Sequence, residues 1–263
     1  MADVAILPRY DAATEGDLTI AIFADLHVGS ATFEKALFER HVREVADDPA
    51  QIAVLAGDLF QADLKGTKHG GVYAATMTLD QAIDYVEQAL TPIRGKIAAI
   101  CSGNHDLRVW NAVGIDPTAQ VASRLKLADR YSRHGAIVHT RHGRATNSNH
   151  RHGGARPLDY FGQISHGTGN TANLSTYERI GMIVEGCDWY ASGHTHTPSS
   201  SADLVYVIDR QHARVVDRDR RYLVTGTYQG RDDYANERRM KPRPLGRVKL
   251  WLCGSERRME ARI

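Results

Sequence analysis

Ile97-Ala98-Ala99-Ile100-Cys101-Ser102-Gly103-Asn104-His105-Asp106 runs from a short apolar stretch straight into Gly, Asn, His and Asp, a combination that packs poorly in a core and serves well in an active site. Three further stretches repeat the pattern. Leu18 to Ala24 ends at Asp25-Leu26-His27, Ile52 to Ala56 ends at Gly57-Asp58, and Trp189 to Ser192 ends at Gly193-His194-Thr195-His196. Each apolar run is too short for a helix and mostly without polar interruption, as expected of a strand buried on both faces. Four polar strand ends then feed one site.

The segments between these runs read as crossover connections. Phe33, Leu37, Phe38, Val42 and Val45 recur at helical spacing, with Ser30 as the expected cap and Asp47-Asp48-Pro49 as the stop. Leu79, Ile83, Val86 and Leu90 mark a second helix, opened by a capping box of Thr78 and Gln81. Asp116-Pro117 opens a third, as cap and first-turn proline. Residues 61–71 lack periodicity and read as a loop over the strand ends. Ala136 to Val138 reads as a strand, His139 to Gly154 as a His- and Arg-rich loop, and Tyr160 to Ser165 as a strand ending at His166-Gly167. A helix is expected over residues 174–184, with strands at 204–208, 222–227 and 247–252. No repeat or linker divides the chain, so one domain over residues 1–263 is expected.

With 263 residues and 42% hydrophobic content, the chain can bury a full α/β core. Its net charge of +2 conceals a basic C-terminal part: residues 201–263 hold 15 Lys and Arg against 9 Asp and Glu, about +6, leaving about −4 elsewhere. Such a segment either faces phosphate or is a solvated surface. Cys101, Cys187 and Cys253 are odd in number and widely spaced, which fits reduced thiols. Neither a signal segment nor a membrane-spanning run is present, so the reading is a cytoplasmic protein without membrane attachment.

The strand-end residues are oxygen and imidazole donors of the kind that suit Mn²⁺, Fe, Zn²⁺ or Ni²⁺. In Asp25-x-His27 and His194-x-His196 the two-residue spacing sends both side chains from an extended end to one side. Two neighbouring metals need a carboxylate between them, and Asp58 can bridge with its two oxygens. Taken together, Asp25-x-His27, Gly57-Asp58, Gly103-Asn104-His105-Asp106 and Gly193-His194-x-His196 resemble the calcineurin-like metallophosphoesterase superfamily, in order and in spacing. The stretch Gly103 to Arg108 and the context Ser165-His166-Gly167 resemble members encoded by bacteriophages.

The resemblance implies an α/β fold, a four-layer α-β-β-α sandwich of two mixed β-sheets flanked by helices. It implies two divalent metal ions, Mn²⁺ first, with Fe, Zn²⁺, Ni²⁺ or Mg²⁺ as alternatives. Asp25, His27 and His196 would hold one ion, Asn104, His166 and His194 the other, and Asp58 would bridge them for a hydroxide that attacks phosphorus. His105 would serve the leaving oxygen, with Asp106 orienting its ring and favouring the imidazolium. His166 is chosen over His142 and His152 as the remaining histidine ligand because it follows an apolar run directly and precedes His194 by one crossover's length. His142 and His152 are then expected to contact substrate, within a cluster with His139 and His150 that is otherwise open between metal binding, phosphate contact and solvation. Arg108 is either a phosphate clamp or a surface charge. After Gly57-Asp58 the chain lacks the Asp-Arg-Gly of serine/threonine phosphatases, and Gln61 stands where purple acid phosphatases carry an iron-binding Tyr. The resulting reading is a two-metal phosphodiesterase acting on a phosphoester such as DNA or a nucleotide. A phosphomonoesterase with the same site is the alternative, and a non-catalytic binding subunit of the same fold is a third reading.

Overall fold

The computed structural model of the chain describes residues 4–64, 75–146, 155–167, 184–231, 236–237, 239 and 241–263. Two mixed sheets form its centre. In the first, β3 (Leu18–Phe23), β4 (Gln51–Ala56) and β5 (Ile97–Cys101) run parallel, and β11 (Val248–Leu252) and β12 (Met259–Arg262) continue antiparallel beyond β3. The second has the order β1 (Ala5–Ile6), β6 (Ala136–Thr146), β7 (Ala155–Ile164), β8 (Trp189–Ser192), β10 (Arg214–Val224), β9 (Ser199–Asp209), with β2 (Tyr10–Asp11) also pairing β6.

Strand alternation decides what each face touches. On β3, Leu18, Ile20 and Ile22 point between the sheets with Val54, Val138, Trp189 and Leu223. Ala21 and Phe23 point the other way, onto Phe38 and Val42 of α1 (Lys35–Asp47) and Ile83 and Val86 of α2 (Leu79–Leu90). Both faces of the strand are therefore buried, which is why it reads as an apolar run interrupted only by Thr19. Two more helices, α3 (Asn104–Val113) and α4 (Pro117–Arg124), complete this flank. The helix expected over 174–184 falls largely outside the described residues. Among the described residues no helix is long and apolar enough to cross a membrane. The three cysteines are unpaired and buried.

The caps of α2 and α4 form as expected: Gln81 N–H donates to Thr78 Oγ1 at 3.3 Å and Ala119 N–H to Asp116 Oδ1 at 3.0 Å. Ser30 does not cap α1, which starts at Lys35; the Ser30 hydroxyl instead accepts from Thr32 N–H inside the turn after His27. The larger correction is at 139–146, expected as loop and found as the second half of β6. The strand persists because its inner face is buried while its outer face pairs across to β7. Val138, Thr140 and His142 are buried inward, while His139 and Arg141 bond Asp159 of β7 at 2.6 and 2.9 Å.

Below the site, Tyr228 is fully buried between Phe23 and His41, and His41 Nδ1 lies 2.8 Å from its hydroxyl. Burial first, then the nearby Arg247 charge, depress the His41 pKa to about 4. Between about pH 6.5 and 4 the unfolded chain therefore binds the proton and the folded one does not. Stability falls as pH drops through that window and the loss is complete below about 4. Allowing for partial exposure of the ring, the effect is about 1–2 kcal/mol. Melting of metal-free protein should fall by several degrees from pH 6.5 to 4 in the wild type, and His41→Gln should visibly flatten that slope.

Candidate metal centre

The carboxyl ends of β3, β4, β7 and β8 and the first turn of α3 meet at one edge, where the sheets face each other. Asp25, His27, Asp58, His194 and His196 all have positive φ, between 50° and 73°. For non-glycine residues this is an uncommon conformation that surrounding structure must enforce, and it concentrates at functional sites. Here each strand end turns abruptly, and the side chain is aimed across the gap instead of along the sheet. Close approach is built in as well. A Cβ at Gly193 would stand 2.3 Å from Asp25 Oδ2, and one at Gly103 would stand 2.1 Å from Asp58 Oδ1.

The side chains gather in two overlapping groups. In one, His196 Nε2 is 3.1 Å from Asp25 Oδ1 and 3.1 Å from His27 Nε2. In the other, Asn104 Oδ1 is 2.8 Å from His194 Nδ1 and 3.1 Å from His166 Nε2, which is itself 3.1 Å from Asp58 Oδ2. Asp58 links the groups, since its Oδ2 is also 4.0 Å from His27 Nε2. Its other oxygen accepts the His105 backbone N–H at 2.8 Å, so one oxygen alone faces both groups, where the sequence suggested bridging with two.

These donors fit divalent metal. Among the described residues, Asp25 Oδ1 and His27 Nδ1 are buried without hydrogen-bond partners, a costly state that a cation on the Asp25 oxygen would relieve. Ligand atoms about 3 Å apart match an ion with bonds of about 2.1 Å. Three overlapping groups qualify as metal-holding among the described residues: Asp25, His27 and His196; Asp58, His166 and His194; and His27, Asp58 and His105. The His166 Nδ1–H donates to the Ala56 carbonyl at 2.9 Å, which fixes the ring with Nε2 toward the site. Burial alone would lower the His166 pKa, but the Asp58 charge and hydrogen bond raise it to about 10. Without metal this ring carries a proton that a metal must displace.

Beside the groups, His105 is held at both nitrogens. Its Nδ1–H donates to the Gln61 carbonyl at 2.8 Å, and its Nε2 accepts from Arg108 Nη2 at 2.9 Å. Arg108 also reaches Asp63 at 3.5 Å. Burial lowers the His105 pKa, and Arg108 lowers it further against the opposing pull of Asp58. The ring is neutral in this state.

Asp106 does not orient that ring. It is fully buried and accepts backbone N–H groups from Gly103 at 2.8 Å, Phe60 at 3.2 Å and Leu59 at 3.4 Å, fastening the start of α3 to the loop after β4. The orienting partner is the Gln61 carbonyl, a main-chain group with no mark in the residue pattern. His142 is not brought to the cluster either. It is buried against Tyr160 on β6, six positions and about 20 Å along the strand from the end that pairs with Ile164. His150 and His152 lie outside the described residues. Supporting residues that sequence reading missed come from the chain after β10: Thr227 Oγ1 donates to Asp25 O at 2.9 Å, Tyr228 N–H to the same oxygen at 2.9 Å, and Arg243 to Thr195 O.

A family model for calcineurin-like phosphoesterases matches residues 18–198, well over half the chain. The chain belongs to the calcineurin-like phosphoesterase family. Its members hydrolyse phosphoesters with divalent metals, and the clusters described above are this chain's candidate sites for them. A search of curated proteins found no match. Among solved structures, the calcineurin-like phosphoesterase YfkN from Bacillus subtilis is similar at 12% identity and a TM-score of 0.38, over 93% of this chain and 88% of that one. Residues 199–263, beyond the family match, complete both sheets and supply the Thr227, Tyr228 and Arg243 contacts.

Two outcomes follow from this geometry. Metal binding should release about one proton near pH 7.5, measurable by calorimetry in buffers of differing ionisation enthalpy, and His166→Asn should abolish the release. Asp106→Ala should cost about 1–3 kcal/mol in thermal unfolding by stranding buried amides, while leaving the dependence of hydrolysis on leaving group unchanged.

Proposed function

We propose that this chain is a two-metal phosphodiesterase whose substrates are nucleic acid or nucleotides. The observation that supports it best is the convergence of seven donor side chains, Asp25, His27, Asp58, Asn104, His166, His194 and His196, beside a histidine that an arginine holds. Asp25, His27 and His196 would hold one ion, Asn104, His166 and His194 the other, with Asp58 Oδ2 shared; Mn²⁺ is the favoured metal. Ions bound there would acidify a water and offset phosphoryl charge.

The protein's own part is positioning and proton handling. Arg108 brings a guanidinium to the side of His105, where it can hold a phosphoryl oxygen of the diester. A bound phosphate anion draws Arg108 onto its oxygens and raises the pKa of His105. The imidazole, still tied through Nδ1–H to Gln61, then takes up a solvent proton at Nε2 and passes it to the departing oxygen. Because the ring cannot turn away from Gln61 without losing a hydrogen bond, the proton is delivered from a fixed direction.

Bis(p-nitrophenyl) phosphate should be turned over only with divalent metal and faster than p-nitrophenyl phosphate. Asp58→Asn should remove most of that activity. His105→Ala should retain metal yet slow hydrolysis by about 10²- to 10⁴-fold, with a smaller loss for better leaving groups. Metal loss in His105→Ala with no leaving-group effect would make His105 a ligand and overturn its assigned role.

A further inference from the structure

A cavity of about 520 Å³ lies directly behind the residues that hold His105 and Arg108. That volume is within the range of small-molecule sites. Its walls are largely apolar, from Val28 in the turn after His27, Leu64, Met77, Leu79 at the start of α2, and Val109 of α3. Gln61, Asp63, Thr76, Thr78 and Gln81 add polar groups to the lining. The Asp63 carboxylate is 4% exposed, accepts from Gln61 Nε2 at 3.2 Å and faces Arg108 at 3.5 Å. The cavity thus presents the Asp63 carboxylate and several hydroxyl and amide side chains between apolar walls.

We infer that this cavity is a specificity pocket for the nucleobase of the diester, an inference that rests on the phosphodiesterase reading of the adjoining site. A flat heteroaromatic ring buries its faces against Val28, Met77, Leu79 and Val109. Its N–H edge meets the Asp63 carboxylate at the polar side of the cavity, a contact that an alkyl or simple aryl group cannot make. The pocket is also tied to the chemistry by covalent continuity. Gln61 lines it and also holds His105 with its carbonyl, and Val109 follows Arg108 directly in α3. Seating a base therefore sets the ester beside the imidazole.

The test compares thymidine 5′-(p-nitrophenyl) phosphate with methyl p-nitrophenyl phosphate, in wild type and in Met77→Trp, which fills the cavity, and Met77→Ala, which enlarges it. Wild type should show a KM at least about tenfold lower for the thymidine ester. Met77→Trp should erase that preference while leaving kinetics on the methyl ester within about twofold; Met77→Ala should weaken it, and serves alone if the Trp variant does not fold. Calorimetry with free adenosine and N6,N6-dimethyladenosine reads the pocket without any hydrolysis. Adenosine should bind wild type, the dimethyl form at least about tenfold more weakly, and neither should bind Met77→Trp. Equal KM values for the two esters together with no adenosine binding would overturn the pocket. Adenosine binding with no turnover of either ester would support the pocket and count against the phosphodiesterase reading.

Discussion

The hydrogen bond from the His105 backbone N–H to Asp58 Oδ1, 2.8 Å long, is the contact on which the arrangement of the site depends. It satisfies an amide at the exposed first turn of α3, where no helical carbonyl is available, and it fixes the Asp58 carboxylate so that Oδ2 lies between the two donor groups. The same bond sets His105 beside the cluster. Asp106 reinforces it from behind by gathering the amides of Gly103, Leu59 and Phe60. Strand end, helix start and site are thus one hydrogen-bonded unit.

The two sheets matter to function because their packing brings those ends together. Asp25 and Asp58 come from one sheet, His166, His194 and His196 from the other, and the interlayer core of Ile20, Val54, Trp189 and Leu223 keeps them within bonding range. Left-handed backbone at five of the donor residues carries a conformational cost. Buried hydrogen bonds nearby offset it, among them Thr227 and Tyr228 donating to the carbonyl of Asp25. The chain beyond residue 198, outside the family match, is therefore part of the scaffold that orients Asp25.

Much of this was legible in the sequence for a simple physical reason. Short apolar runs that stop at Asp, His or Asn report strands buried on both faces and ending at a polar site, and that signal placed Asp25, His27, Asp58, Asn104, His166, His194 and His196 together. What was not legible depends on main-chain atoms and on long-range pairing. The Gln61 carbonyl that orients His105 has no residue-type signature, so an adjacent carboxylate, Asp106, was assigned the role. His142 sits in a polar-looking stretch that alternates inward and outward, and it reads as strand only once β7 supplies Asp159 and Tyr160 opposite. Arg108, open in the sequence between clamp and surface charge, is 30% exposed, hydrogen-bonded to His105 and within 3.5 Å of Asp63.

The central claim is that the donor cluster holds two divalent ions sharing Asp58. Anomalous diffraction from crystals grown with Mn²⁺ tests it directly. Two peaks are predicted, one against Asp25, His27 and His196 and one against Asn104, His166 and His194, with Asp58 Oδ2 between them. A single peak, or manganese bound anywhere but this cluster, would contradict the account.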